Sequence, residues 1–483
     1  MFVRLAVALL PLLGGCVSAP PPSRSTAPWI PPRAAQKADA VWTAVRAQKQ
    51  DFSKPLTLAE LADIALRNNP ASRKAWNDAR AASAQVDQAR GYFMPTITGT
   101  AGISRQRTTA EPDSFSQDYM KYAPGLQVNY LILNFGGGRQ AAVEEALQTV
   151  YAANFTFNRT IQDILLAVET AYYAVVSAQA GIETAEASLK DAATALDVAE
   201  EREKQGVGTK LDVLQAQAGR DQALYDLASV RGQLQVARGA LALALGIPAD
   251  TEVLVAPPAT EAPDAINAPD LQRLVDDALR RRPDIAALRA TLAAREAAVT
   301  VAGSPLWPSL FLTGNASRDY YDNINGKAFQ DHDWSYGGGL SLQWPLFDGL
   351  QTRSARNVAR AQAASAAAQL KQAELAASAE VWTTYHDYET ALQKRAFSAA
   401  FLKSATASHG LALDSYKAGL TSILDLLNAE SRLAQARSQD VAVRQEVFRA
   451  LADLAHATGG LEAGGAGRAP GFISNSTTKD RQP

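Results

Sequence analysis

Residues 206–217 read GVGTKLDVLQAQ, and residues 419–430 read GLTSILDLLNAE. Both stretches begin at a glycine, both carry Leu-Asp-(Val/Leu)-Leu, and both continue into an alanine-rich pattern that favours a helix. The second stretch begins 213 residues after the first. One chain therefore contains the same helix start twice, at positions far apart.

The offset extends along most of the chain. It joins Asn69-Pro70 to Arg282-Pro283, Met94-Pro95 to Trp307-Pro308, Tyr172 to Tyr385, and Asp212 to Asp425. A constant offset over roughly 180 residues indicates an internal duplication. We therefore expect a first repeat at 58–247, a Pro-rich linker at 248–270 and a second repeat at 271–458.

Both ends of the chain lie outside the repeat. Residues 1–15 combine Arg4 with a short apolar run, which predicts a signal peptide because the run is too short to span a bilayer. Leu13-Gly14-Gly15-Cys16 resembles the bacterial lipobox, so Cys16 is the predicted lipidation site, and Val17 resembles the outer-membrane default. The alternative is an ordinary signal peptide with a chance cysteine. Residues 16–57 form a Pro-rich lipidated segment, and 459–483 form a tail that we expect to be mobile.

Composition excludes several classes of protein. The formal net charge of -2 gives no basic field for nucleic acid. A single cysteine excludes an internal disulfide and any multi-cysteine metal site, and the four histidines are scattered. The sequence therefore predicts no cofactor, no bound metal and no nucleic-acid partner.

Four segments alternate apolar and polar residues with the two-residue period of a β-strand. They lie at about 95–104, 122–133, 309–318 and 335–346, separated by polar stretches at 105–121 and 318–333 that we expect to be loops. Of the 35 aromatic residues, 16 lie in 92–135 and 307–347, many near the strand ends. Aromatic girdles around such strands favour a transmembrane β-barrel over a piece of a soluble β-sandwich.

Four strands are too few to close a barrel with a lumen. Open edges are excluded in lipid because unpaired backbone groups there cost several kcal/mol each. The chain must therefore share its barrel with copies of itself. Three copies would supply twelve strands, while two or four copies stay open on this argument.

Residues 139–205 contain no proline and one glycine, Gly181. Large apolar residues from Ile161 to Leu196 recur every seven positions, with small residues, mostly alanine, at the second core position, as in a coiled coil. Such a helix would be roughly 100 Å long. The chain then turns at a hairpin tip, 205–212, where Thr209 is the expected N-cap, and the second tip is 418–425. The predicted fold class is mainly α with a transmembrane β part, internally duplicated.

This order of motifs resembles the TolC family of outer-membrane channel proteins, in particular its lipoprotein branch, the outer-membrane factors of resistance–nodulation–division type pumps. The resemblance covers about residues 58–458. It implies a homotrimer in the outer membrane, with a twelve-stranded barrel continued by an α-helical barrel in the periplasm. It further implies gated export of small molecules, with a periplasmic adaptor and an inner-membrane pump as partners and no enzymatic activity.

The resemblance also implies roles for residues at the two tips. A periplasmic gate would contain Asp212, Tyr416, Leu424, Asp425 and Asn428. Tip grooves for the adaptor would be lined by Gly206, Val207, Leu211, Gly419, Leu420 and Leu424. The chain has Thr421 where the family has an arginine, and Asn428 where it has a carboxylate, which leaves the strength of an ionic lock open. The alternative role for Asp212 and Asp425 is that each caps a helix.

Three other functions compete with this interpretation. Gly136-Gly137-Gly138-Arg139 faintly resembles a phosphate-binding loop but lacks the Gly-Lys-Ser/Thr ending, so the signal for an enzyme is weak. A coiled-coil lipoprotein that tethers envelope layers would explain the helices but not the strands. A duct for proteins or heavy metals would share the fold.

Overall fold

The computed structural model describes residues 24–26, 54–109, 116–258, 271–323 and 331–461. The chain divides into two compact units. One contains the β-strands and parts of four helices, within Ala79–Ala153 and Ala287–Leu370. The other contains Asn154–Ala286, Lys371–Pro483 and the residues from Pro22 to Asp78. The predicted signal peptide, Cys16, most of segment 16–57, linker residues 259–270 and the tail beyond 461 lie outside the described residues.

Each half of the chain has the predicted order of helix, helix, strand, strand, long helix and returning helix. The first half comprises α1 Leu58–Asn68, α2 Pro70–Gly91, β1 Thr96–Thr109, β2 Ser116–Asn134, α3 Gly138–Lys204 and α4 Lys210–Leu245. The second comprises α5 Leu271–Arg281, α6 Pro283–Gly303, β3 Ser309–Asn323, β4 Asp331–Gln343, α7 Gln351–Lys417 and α8 Ile423–Ala457. A proline begins α2 and α6, because its fixed φ and missing N–H suit the first helical position.

The strands form one antiparallel sheet in the order β1-β2-β3-β4. Its register places alternate residues of all four strands on a common face. One face, called here the apolar face, carries Ile97, Ile103, Leu126, Leu312 and Leu340, which are all exposed in the chain. The opposite, polar face carries Thr98, Gln127, Asn315 and Ser341. The sheet thus has the two-faced character that the alternation predicted.

The predicted strand lengths were wrong at the hairpin ends. β1 continues to Thr109 and β2 already begins at Ser116, while β3 reaches Asn323 and β4 begins at Asp331. Most of the predicted loops at 105–121 and 318–333 is therefore strand. Ion pairs between strands accommodate these polar residues: Arg105 Nη2 lies 2.8 Å from Asp118 Oδ2, and Lys121 Nζ lies 2.7 Å from Asp319 Oδ2.

The long helices α3 and α7 each contain 67 residues. On α3 the heptad positions Ile161, Val168 and Val175 are at most 2% exposed, as the seven-residue repeat predicts. On α8, Asp440 lies in the same seven-residue row as Leu433 and Val447 and is buried as they are. Its carboxylate accepts a hydrogen bond from Ser398 Oγ at 3.0 Å and pairs with Arg444 Nη2 at 2.8 Å. These partners stabilise a charge that the core could not otherwise hold.

The ends of the returning helices show the duplication atom by atom. Asn69 Nδ2 donates to the carbonyl oxygen of Ala244 at 3.1 Å. Arg282 Nη1, 213 positions later, donates to the carbonyl oxygen of Ala457 at 3.1 Å. In each half the side chain before the α2 or α6 proline thus caps the helix that returns from the tip.

Arg282 also makes ionic contacts, which the neutral side chain of Asn69 cannot make. Its guanidinium lies 2.8 Å from Asp284 Oδ2 and 2.6 Å from Glu380 Oε2, and its side chain is 5% exposed. Burial alone would raise the pKa of Asp284, but the hydrogen bonds and charge of Arg282 outweigh it and lower this pKa. The second repeat has therefore replaced an amide cap by a buried ion cluster.

Candidate functional site

Both hairpin tips turn on a glycine in the left-handed region. Gly206 has φ 76° and Gly419 has φ 78°, a conformation that costs other residues energy because of their Cβ atom. The turns close with the same hydrogen bond: Val207 N donates to Arg202 O at 3.0 Å, and Leu420 N donates to Ser415 O at 2.9 Å. The repeated sequence therefore encodes the same turn twice.

A capping box starts each returning helix. At the first tip Asp212 N donates to Thr209 Oγ1 at 3.2 Å, and Thr209 N donates to Asp212 Oδ2 at 3.0 Å. At the second tip Asp425 Oδ2 accepts from Ser422 Oγ at 2.7 Å and from Ser422 N at 3.1 Å. These two hydrogen bonds lower the pKa of Asp425. The capping role considered for both aspartates is thus present, and Thr209 is the N-cap as predicted.

Three of the predicted gate residues share a surface. Leu424, Asp425 and Asn428 are all exposed on the first turns of α8. Asn428 follows Leu424 by four positions and Asp425 by three, a spacing that places side chains on one face of a helix. Asp425 Oδ2 is occupied by the cap, but the residue as a whole is exposed. Asp212, on the other tip, is half-buried. The second tip therefore presents a carboxylate, an amide and an apolar side chain together.

Tyr416, the fifth predicted gate residue, lies elsewhere. It is 2% exposed and packs with Ala195 and Ala199 of α3, Val213 of α4, and Leu426 of α8. Burial, then the charge of Asp212, raises the pKa of its hydroxyl, and the hydroxyl oxygen is buried without a hydrogen-bond partner. The structure thus places Tyr416 in a seam between the two hairpins rather than on the exposed surface.

Arg202 holds the same seam and was missed by sequence reasoning. Its Nη1 donates to Tyr416 O at 2.8 Å, and its guanidinium lies 4.9 Å from the centroid of the Tyr416 ring. It thereby fastens the end of α7 to the end of α3. The only sequence signal would have been an arginine four residues before the tip glycine, a position where basic residues commonly favour a helix terminus.

The residues predicted to line the tip grooves lie at the surface. Among the larger side chains, Val207 is 62% exposed, Leu211 61%, Leu420 79% and Leu424 55%. Gly206 and Gly419 are exposed as well. Each tip therefore shows apolar side chains that the chain itself leaves uncovered.

A second charged cluster joins the hairpins further from the tips, and the sequence analysis did not identify it. Arg437 Nη1 lies 2.7 Å from Asp191 Oδ2 and donates to Ser188 Oγ at 3.3 Å, which links α8 to α3. Next to it, His409 Nε2 lies 3.9 Å from Glu430 Oε1, and both side chains are about nine-tenths buried. Burial, then the charge of Asp191, raises the pKa of Glu430 to about 7.

Comparison with known proteins decides the family. The model of the outer membrane efflux protein family matches residues 61–247 and again residues 274–460, once in each repeat. The chain belongs to the outer membrane efflux protein family. It is therefore an outer-membrane channel protein through which compounds are exported from the cell, and the family predicted from the sequence is confirmed.

Relatives of this efflux protein span nearly its whole length. Protein CyaE of Bordetella pertussis is 32% identical over 83% of this chain and 84% of its own. The pyoverdine export outer membrane protein OpmQ of Pseudomonas aeruginosa is 28% identical over 93% of this chain and 94% of its own. The solved outer-membrane channel OprN is 25% identical, with a TM-score of 0.74 over 85% of this chain and 91% of that one.

These likenesses confirm the predicted fold class, in which a mainly α-helical, duplicated chain contributes four strands to an outer-membrane barrel and continues into periplasmic coiled coils. They also confirm the predicted outer-membrane localisation. OpmQ and OprN are named as export and channel proteins rather than as enzymes. A coiled-coil tether would need no β-strands, so the four strands of this chain do not support that competing function.

The glycine run of the efflux protein has a structural role. A Cβ atom at Gly136 would meet the carbonyl oxygen of Ser304 at 2.5 Å, so the turn after β2 admits no larger residue there. Arg139 donates to the carbonyl oxygens of Leu131 and Ile132, the latter at 2.8 Å. The resemblance of this stretch to a phosphate-binding loop thus has a packing explanation.

Proposed function

We propose that three copies of this efflux protein form a gated duct that exports small molecules and is closed at its periplasmic end by the second hairpin tip. The observation that carries the gate is the grouping of Leu424, Asp425 and Asn428 on one exposed surface, next to a turn fastened by Arg202 and Tyr416.

The need for several copies follows from the sheet. β1 and β4 are its two edges, and each pairs with one strand only within the chain. In lipid both edges must find partners, so β4 of one copy would pair with β1 of the next. Three copies give twelve strands, an even number within the range of outer-membrane barrels.

The polar face of the sheet supports passage of soluble compounds. Threonine, asparagine, glutamine and serine line it, which suits a water-filled lumen. The relative OpmQ is named for the export of pyoverdine, a small molecule, rather than of a protein. Small-molecule efflux is therefore preferred to protein or heavy-metal export.

The gate would work by charge and by obstruction. Three copies of Asp425 around one axis would form a ring of negative charge, and the hydrogen bonds from Ser422 lower the pKa of this group, which opposes the rise that neighbouring carboxylates would cause. Such a ring attracts cations. Leu424 adds bulk, while Asn428 in place of a carboxylate lowers the charge of the ring.

Single-channel conductance in planar bilayers tests the gate. Purified protein would be compared with Asp425→Ala, with Tyr416→Phe and with the double variant, and Glu60→Ala would serve as the control because it removes the same type of capping box at the start of α1, away from the tips. We expect a small, cation-preferring conductance that rises several-fold in Asp425→Ala and in the double variant, but not in Glu60→Ala. Equal conductance in all of them would remove Asp425 from the gate, and no conductance from inserted protein would remove the duct.

We further propose that the tip grooves bind a periplasmic adaptor, which connects the duct to an inner-membrane pump of the resistance–nodulation–division type. The uncovered side chains Val207, Leu211 and Leu420 support an apolar contact. Val207→Asp with Leu420→Asp should abolish adaptor cross-linking in cells and leave conductance unchanged. Retained cross-linking would place the contact elsewhere.

Lipidation of Cys16 completes the proposal. The lipid would add an anchor at the membrane to the barrel itself. Mass spectrometry of the mature N-terminus should show an acylated cysteine, and Cys16→Ala should still require detergent for extraction because the strands remain.

A further inference from the structure

We propose that the outer end of the apolar face binds the phosphate groups of the glycolipid in the outer leaflet, through Arg107 and Arg318. The inference depends on the outer-membrane location and the sheet, and not on the proposed gate or its partners. It concerns the end of the sheet that carries the two β-hairpin connections. The opposite end leads into helices α3 and α7, which continue toward the periplasm.

The apolar face has the profile of a lipid-facing surface. On β2 it runs from Tyr130 through Leu126 to Tyr122, eight residues or roughly 26 Å along the strand. Aromatic side chains close the band toward the hairpin end: Tyr122, Tyr320, Trp334 and Tyr336 lie on this face, and Trp334 and Tyr336 are 63% and 84% exposed. Such aromatic rings mark the boundary between hydrocarbon and headgroups.

Guanidinium groups stand just beyond this boundary. Arg105 and Arg107 follow Ile103 on the same face of β1, at two and four residues. At ~3.3 Å per residue they lie about 7 and 13 Å further along a tilted strand, which is the depth of the headgroup layer. Both are exposed.

Arg318 reaches toward the same layer from β3. Its Cα lies opposite Trp334, within the aromatic band, but its guanidinium lies 5.4 Å from the centroid of the Tyr320 ring, one step nearer the hairpin end. A long cationic side chain directed out of the band in this way is typical of residues that contact headgroups. Its Nε is buried and has no hydrogen-bond partner among the described residues.

The charges on this face do not balance. Among the described side chains, three guanidinium groups face one carboxylate, that of Asp118. Arg105 occupies both oxygens of that carboxylate, at 3.0 and 2.8 Å. Within the described part of the sheet, Arg107 and Arg318 have no ion-pair partner. On the polar face, by contrast, Lys121 is paired with Asp319 at 2.7 Å.

The occupant follows from this chemistry. Among the described residues Arg318 has no counter-ion, and Arg107 lies opposite Asp118, whose two oxygens Arg105 already occupies. Two such arginines, placed at headgroup depth beside exposed aromatic rings, suit phosphate groups carried by a lipid, because guanidinium binds phosphate through paired hydrogen bonds. The lipid in contact with this end of an outer-membrane barrel is the phosphorylated glycolipid of the outer leaflet. Phospholipid of the inner leaflet meets the opposite end of the strands.

A binding titration of the full-length protein in zwitterionic detergent tests the site. Delipidated protein would be titrated with diphosphorylated lipid A and with enzymatically dephosphorylated lipid A, and the bound lipid measured by native mass spectrometry. The variant is Arg107→Gln/Arg318→Gln. The control is Arg432→Gln, which removes one positive charge from an exposed site on α8.

We expect the wild-type protein to bind the diphosphorylated lipid at least tenfold more tightly than the dephosphorylated lipid. The double variant should lose this preference, and Arg432→Gln should keep it. Equal binding of the two lipids by the wild-type protein would overturn the proposal even if the double variant failed to fold. Equal competition by phosphatidylglycerol would overturn it as well, since that result indicates general charge attraction.

Discussion

The two hairpins of this efflux protein share a backbone plan and differ in how they are held. Each tip has a glycine with φ between 76° and 78° and a capping box with an aspartate at its third helical position. At two equivalent positions, however, the second half carries an ionisable group where the first has an amide: Arg282 corresponds to Asn69, and Glu430 corresponds to Gln217. The turns are therefore the same in both halves, while these two positions are ionisable in the second half alone.

The largest expected difference between the halves lies at the returning helix ends. Arg282→Ala would remove a buried guanidinium from Asp284 and Glu380 and should destabilise the protein by about 3 kcal/mol, the low end of the range for a fully buried pair, because both carboxylates are about one-third exposed. Asn69→Ala removes one hydrogen bond and should cost about 1 kcal/mol. Thermal unfolding in detergent measures both. Equal losses would show that the ion cluster adds nothing to the simple cap.

Glu430 should make the stability of the second hairpin depend on pH. Its pKa of about 7 in the folded protein exceeds the value of about 4.3 expected when unfolded, so folding favours the protonated acid. The resulting penalty is absent below pH 4, grows as pH rises and is complete above pH 7. Glu430→Gln should therefore stabilise the protein by on the order of 3 kcal/mol at pH 8 and by much less at pH 5.

Gln217→Glu is the matched control in the first hairpin, because Gln217 is exposed. A glutamate there should change the pH dependence little. If Glu430→Gln gave the same gain at both pH values, the neighbouring His409 and Asp191 would have to compensate for its titration.

A smaller difference concerns the turn before each long helix. Gly137 has φ 68°, and Leu350, 213 positions later, has φ 69°, the only non-glycine residue with positive φ among the described residues. Leu350→Gly should relieve about 1 kcal/mol of strain, and Gly137→Leu should introduce as much. Unfolding midpoints of the two variants should shift in opposite directions. A loss of stability in both would indicate that Leu350 contributes packing that exceeds its strain.

The smallest difference should be found at the caps. Asp212→Asn and Asp425→Asn should each destabilise the protein only slightly, because asparagine retains a side-chain oxygen that can accept the capping hydrogen bond. The two costs should agree closely, measured as denaturation midpoints. A much larger cost at Asp425 would show that this group has contacts beyond its capping box.

Much of this architecture could be predicted because it repeats or alternates. The offset of 213 residues located the tips, and the two-residue and seven-residue periods identified strands and coiled coils. The strand ends were missed because Arg105 and Asp118 resemble loop residues until the register pairs them. The burial of Tyr416 was also missed, since it depends on packing against Ala195, Ala199 and Val213, which lie more than 200 positions away. Pairings of this kind leave no local pattern.

The duplication also determines which hairpins of the assembled channel are equivalent to one another. A ring built from six identical half-length subunits would give every tip the same neighbours and the same energy of opening. In the proposed trimer, joining two halves in one chain would lower that symmetry to three-fold and fix the two kinds of hairpin in equal numbers and alternating order. A difference such as Glu430 in place of Gln217 then affects every second hairpin. One set of hairpins can therefore change conformation while the other set stays in place.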